Sequence, residues 1–206
     1  MTLNKLKYGA INNKKIIMFL LGLCIIGIIG GSLFITIVSK NDQKLIVEYM
    51  NNFIININKI NLKDAIINSL FTNILYIISV WLLGISVIGI PIIIFMYFSK
   101  IFTLGFSISA FIITYKFKGL ILALLYVFPT QILNIGIYTL ITLYSIKISN
   151  NLIYSVFNKK EVNMKKIINK YIYILAICLI VSIISLLYEN IVLPIVLKKM
   201  ITLLNI

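Results

Sequence analysis

The sequence predicts an all-α fold, a polytopic membrane protein of five transmembrane helices. Three observations predict it. Of 206 residues, 61% are hydrophobic and 12% charged, against about 45–50% and about 25% in soluble domains. Mean hydropathy is +1.09. The apolar residues also fall into stretches bounded by charges, each close to the about 17–25 residues that cross a bilayer. A water-soluble domain and a disordered chain are both excluded, the latter because disordered chains are polar. The chain is expected to form one integral membrane domain over 1–206.

The first span is about 16–38. Lys14 and Lys15 precede the apolar run Ile16–Val38, which is 23 residues long. That exceeds the about 7–15 residues of a signal peptide's apolar core, and no A-x-A site follows, so a retained helix is expected. Gly27 and Gly31 in it form a GxxxG, and Gly105 and Ser109 repeat the small-xxx-small spacing. Such residues let helix backbones approach in lipid, either within one bundle or against a partner's membrane helix.

The outer loop 40–64 reads as an amphipathic helix. Ile46, Tyr49, Met50, Phe53, Ile57 and Ile60 recur at helical spacing, with Asn51, Asn52 and Lys59 between them. Tyr49, Phe53 and Ile57 are its candidate contacts with the membrane surface or a partner.

Between Asp64 and Lys100 lie 35 uncharged residues, too many for one span and possible as a hairpin. Lysine placement argues against the hairpin. Five spans with the N-terminus inside put 11 lysines and one acid in the cytosol, and 8 lysines and 4 acids outside. An added hairpin would carry the lysine-rich segment 147–170 outward, against the positive-inside rule. The expected spans are therefore about 16–38, 72–98, 101–117, 120–146 and 171–188, with the C-terminus outside. Tyr171 and Tyr173 would form an aromatic belt, and the tail 191–206 would lie at the interface.

Two prolines suggest kinks in the second and fourth helices. In the second, Trp81, Gly84, Gly89 and Pro91 loosen one region; in the fourth, Pro129 does. Beyond Pro129, Gln131, Asn134, Tyr138, Thr142 and Ser145 fall on one helix face. This polar stripe supports interhelical hydrogen bonds or a polar conduit.

Catalysis is not expected. The chain has no histidine, and Cys24 and Cys178 sit in apolar runs as ordinary buried thiols. No metal ligand set, cofactor motif or nucleophile–base pair is visible. With the spans above, no Asp or Glu enters the hydrocarbon, which counts against proton-coupled carriers. All nineteen basic residues are lysine, so nucleic-acid recognition is a weak reading, and contacts to anionic lipid a better one.

The segments WLLGISVIGIPIIIF at 81–95, LGFSISAF at 104–111 and LLYVFPTQ at 124–131 resemble the stage II sporulation protein M family. The most specific part is Trp81–Pro91 with Gly105, Phe106 and Pro129. The likeness covers about residues 5–197. The resemblance implies a non-catalytic membrane scaffold in endospore formation. It implies partners, stage II sporulation proteins D and P, which look like a lytic transglycosylase and an amidase/endopeptidase. Together they would thin septal peptidoglycan during engulfment, with this component on the mother-cell side of the septum. The runner-up is a permease or channel subunit with a polar path along the fourth helix.

Overall fold

The computed structural model describes residues 13–56, 62–86, 88–158 and 164–204. They form seven α-helices and two π-helical turns: α1 (Asn13–Ile37), α2 (Lys40–Asn56), α3 (Leu62–Gly84), α4 (Gly89–Leu122), a π turn (Ala123–Val127), α5 (Phe128–Asn158), α6 (Met164–Leu187), a π turn (Tyr188–Val192) and α7 (Leu193–Leu204). Five helical runs are long and apolar enough to span a membrane: Lys14–Ile37, Lys63–Gly84, Gly89–Val127, Gln131–Ser155 and Ile167–Leu203.

The number of spans agrees with expectation, but their boundaries differ. The stretch expected as one kinked helix over 72–98 is two helices joined by a tight turn at 85–88. The amides of Ile85 and Ser86 donate to the carbonyls of Leu82 and Leu83, and the amide of Gly89 to that of Ser86. A Cβ at Gly89 would run into the Leu83 carbonyl, so only glycine lets α4 start this close to the end of α3. Pro91 is the third residue of α4. There a missing N–H costs no helical hydrogen bond, and a fixed φ favours helix entry. Gly84 closes one helix and Pro91 opens the next; together they reverse the chain instead of bending it.

The reversal adds no span to the count, because α4 continues through Lys100. The boundary expected between 98 and 101 does not exist. The next reversal is at Lys116, whose backbone (φ 51°, ψ −125°) is the one non-helical geometry in α4. Residues after it fold back, so that Gly119 lies against the Phe111 carbonyl and Tyr126 packs edge-on to Phe111 at 6.0 Å.

Each π turn ends two residues before a proline, Pro129 in one case and Pro194 in the other. A proline in a helix lacks its N–H and crowds the carbonyl four residues back. Those carbonyls belong to Leu125 and Asn190, both inside the π turns. A wider turn at that place relieves the crowding without ending the helix. The tail expected at the interface is therefore α7, an extension of α6, and it buries Leu193 and Leu197 in the bundle.

The principal core lies among α1, α3, α4, α5 and α6, around Leu20, Ile77, Val80, Ile93, Ile101 and Ile141. A second core joins α2 to one end of the bundle, where Met50 and Ile54 pack with Ile35, Phe111, Leu122 and Val127. Cys24 and Cys178 are buried free thiols.

Candidate functional site: a polar chamber within the helices

The site is built on the three central helices. Lys100 lies 11 residues beyond the start of α4, about 16 Å along a helix that must cross about 30 Å of hydrocarbon. That places its ammonium near mid-span. Its Nζ stands 5.3 Å from the Tyr76 ring centroid and 5.7 Å from that of Tyr138. The two rings meet edge-on at 4.6 Å. Aromatic faces attract a cation most strongly where water is scarce, which offsets part of the cost of burying it.

Glu189 supplies the opposite charge. It and Lys100 line one chamber of about 130 Å³, with Asn73, Thr103, Ser107, Gln131, Asn134 and Tyr138. Among the described residues the two charges do not close a direct ion pair. The walls are fixed by hydrogen bonds: Tyr138 Oη donates to Asn73 Oδ1 at 2.6 Å, and Ser185 Oγ to Asn134 Oδ1 at 2.9 Å. The π turn carrying Glu189 gives the helix its irregularity at this position, a frequent feature of functional helices.

A second cavity of about 570 Å³ adjoins it between α2, α4, the first π turn and α7. Its walls are apolar, with Ile46, Met50, Phe53, Phe106, Phe111 and Tyr126 prominent. The two cavities share Ser107, Gln131 and Glu189. An apolar cavity thus leads to a polar one.

At the other end of the bundle, Tyr171 makes a lock. It is 1% exposed, stacks on Trp81 at 5.3 Å, donates from Oη to the Trp81 carbonyl at 2.8 Å and lies 2.7 Å from Ser145 Oγ. Gly84 makes room: a Cβ there would strike both the Tyr171 hydroxyl and Ser145. Ser149 Oγ donates to the Ser86 carbonyl at 2.7 Å, pinning the α3–α4 turn to α5.

Residues 16–194 match the family model of stage II sporulation protein M. The chain belongs to that family. No curated protein and no solved structure gives a significant match. The chain is thus a sporulation-related membrane protein, and stage II sporulation protein M is not a known enzyme family.

In this family member the singled-out segments occupy packing positions. Trp81, Gly84, Gly89 and Pro91 form the lock and the tight turn. Phe106 lines the apolar cavity, and Pro129 follows the first π turn. Gly27 and Gly31 do not offer a face to another protein's helix, because α4 already occupies it. A Cβ at Gly31 would collide with the Phe102 carbonyl, and one at Gly105 with the Ile28 backbone. Ser32 Oγ donates to the Gly105 carbonyl at 3.2 Å across the same seam. Ser109, one turn along α4, is half-buried.

The stripe on α5 faces inward and divides its work. Gln131, Asn134 and Tyr138 line the chamber, Thr142 is fully buried in the middle, and Ser145 belongs to the lock. Tyr49 is 73% exposed at the rim of the apolar cavity, while Phe53 packs on Tyr126 at 6.1 Å. Ile57 lies outside the described residues. Tyr171, expected in an aromatic belt, is instead buried within the lock.

Charge spacing alone sets Lys100 and Glu189 at the ends of spans, which hides their place in one chamber. Glu189 lies within the helical run Ile167–Leu203, one residue past the span expected at 171–188, and lines the same chamber as Lys100. Gly84 followed by Pro91, taken as a helix end and a helix start, would have placed Lys100 mid-helix. Among the described residues no three His, Cys, Asp or Glu side chains come together.

Proposed function

We propose that this chain is a non-catalytic membrane scaffold in endospore formation. It holds stage II sporulation proteins D and P, the wall hydrolases implied by family likeness, for septal peptidoglycan thinning and forespore engulfment. The N-terminus faces the cytosol on the mother-cell side, and α2 and α7 face the wall. In this orientation Lys14, Lys15, Lys147 and Lys170 lie at the cytosolic end, in keeping with the positive-inside rule.

The observation that carries the reading is α2. One face is fixed to the bundle through Met50 and Ile54, and Tyr115 Oη donates to Asn51 Oδ1 at 2.8 Å. Its other face leaves Leu45, Tyr49 and Ile55 exposed at 62, 73 and 68%. A rigidly held helix with unpartnered apolar side chains above the bilayer is suited to protein contact. Because α4 fills the GxxxG face, α2 takes over as the partner surface.

The test is a photoreactive amino acid at Tyr49, and another at Phe19 on the exposed face of α1, in sporulating cells. Crosslinks to protein D or P from Tyr49 and not from Phe19 support the reading. Crosslinks to neither hydrolase from either position contradict it.

One observation favours the runner-up, a permease or channel subunit: opposite charges in the same intramembrane chamber mark solute paths in many carriers. Flux of small solutes into proteoliposomes, abolished by Lys100→Met, would support it over the scaffold.

A further inference from the structure

We infer that the chamber between Lys100 and Glu189 binds a small zwitterion, an amino acid of glycine's size. The inference is independent of the scaffold reading, and it concerns binding, not transport. Its basis is a pair of opposite charges that share one space without closing on each other. At about 130 Å³ the chamber is well below the about 300–1,000 Å³ of drug-sized sites, so it takes a small solute and shuts out larger ones. The cavity beneath α2 opens beside Leu45 and Tyr49, 62 and 73% exposed, and meets the chamber at Ser107, Gln131 and Glu189. That junction gives a solute its way in.

Charge balance selects the ligand. An anion would be repelled by Glu189 and a cation by Lys100. Either would also leave net charge within the span, where an unbalanced charge is costly. A zwitterion adds none and satisfies both groups. The chamber is also polarised. Glu189, Gln131 and Ser107 stand at the junction with the larger cavity, while Lys100, Asn73 and Asn134 line the chamber alone. Hydrogen bonds within the walls set what each end offers. Asn73 and Asn134 accept through Oδ1, from Tyr138 and Ser185, which leaves their amide N–H groups to donate. The Tyr76 and Tyr138 rings, 5.3 and 5.7 Å from Lys100 Nζ, fix the ammonium at the same end. Ser107 Oγ donates to the Thr103 carbonyl at 2.9 Å, so its lone pairs are left to accept alongside the Glu189 carboxylate. Donors thus gather at one end for a carboxylate, and acceptors at the other for an ammonium. Among the described residues, no hydrogen bond occupies the side chains of Gln131 or Glu189.

The test is binding of isotope-labelled glycine to the full chain in nanodiscs. Saturable binding to the wild type is expected. Acetate and methylammonium each carry one half of the zwitterion, and should compete at least about tenfold more weakly than unlabelled glycine. Lys100→Met and Glu189→Gln should each lower the affinity by at least about tenfold, because each removes one charge partner from a buried site. Gly22→Ala, which lies outside the chamber, should leave it unchanged. Absence of saturable binding to the wild type overturns the proposal and leaves the chamber to water. Acetate or methylammonium competing as well as glycine overturns it in favour of a simple ion site. Glycine binding that survives both charge substitutions lies elsewhere, and overturns it too. Where both charge variants fail to fold, Ser107→Ala locates the site: a weaker affinity is expected, and an unchanged one overturns the proposal.

Discussion

The Tyr171 hydroxyl lies 2.8 Å from the carbonyl of Trp81 and 2.7 Å from Ser145 Oγ, so one side chain ties α6 to the end of α3 and to α5. The Trp81 carbonyl belongs to the last turn of α3, where no helical amide is available to it. Tyr171→Phe removes that donor from a buried place and should cost about 1–3 kcal/mol. Gly84→Ala should cost more, because the added methyl meets both Tyr171 and Ser145. Thermal unfolding in detergent checks the order; a Gly84→Ala protein as stable as Tyr171→Phe would contradict it.

The seam between α1 and α4 depends on missing side chains. Gly31→Ile should force the helices apart at Phe102 and Phe106, with a loss of more than about 2 kcal/mol. Gly22→Ala, on the same helix but with open space around it, should raise stability by about 0.5–1 kcal/mol through helix propensity alone. The comparison separates packing from helix propensity.

Lys116 sits in a backbone region that suits glycine, the first corner of a mirror-image turn. Lys116→Gly should raise stability by about 1 kcal/mol, the usual scale of strain relieved at such a position. A decrease in melting temperature would mean that the lysine side chain contributes more than its backbone costs.

Lys100 and Glu189 should behave as a coupled pair. Lys100→Met and Glu189→Gln each leave one charge alone in the chamber, and each should destabilise the protein. The double variant should lose less than the sum, with a coupling of about 1 kcal/mol or more. Additive effects would mean that the two charges do not sense each other.

Composition and charge spacing were enough to predict the helical class and the number of spans. Glycine spacing predicted a close helix seam, within the bundle or against a partner, and the structure forms it within the bundle, at Gly31 and Gly105. The stripe from Gln131 to Ser145 was visible as a face, since helical periodicity survives burial. What it faces was not, because Asn73, Lys100 and Glu189 come from three other helices. The largest departure came from treating lysine as a mark of the membrane surface. Lys100 stays inside because Tyr76, Tyr138 and Glu189 surround it, and those neighbours exist only after the chain turns at 85–88.

The central claim is that turn: it alone puts Lys100 near mid-membrane and gathers the chamber. Ser86→Cys, with Cys24 and Cys178 replaced by alanine, tests it directly through labelling with a membrane-impermeant thiol reagent. The account predicts that Ser86→Cys is labelled from the cytosolic face only, while Lys100→Cys is labelled from neither. A protected Ser86→Cys with a readily labelled Lys100→Cys would restore a single helix over 72–98 and contradict the chamber.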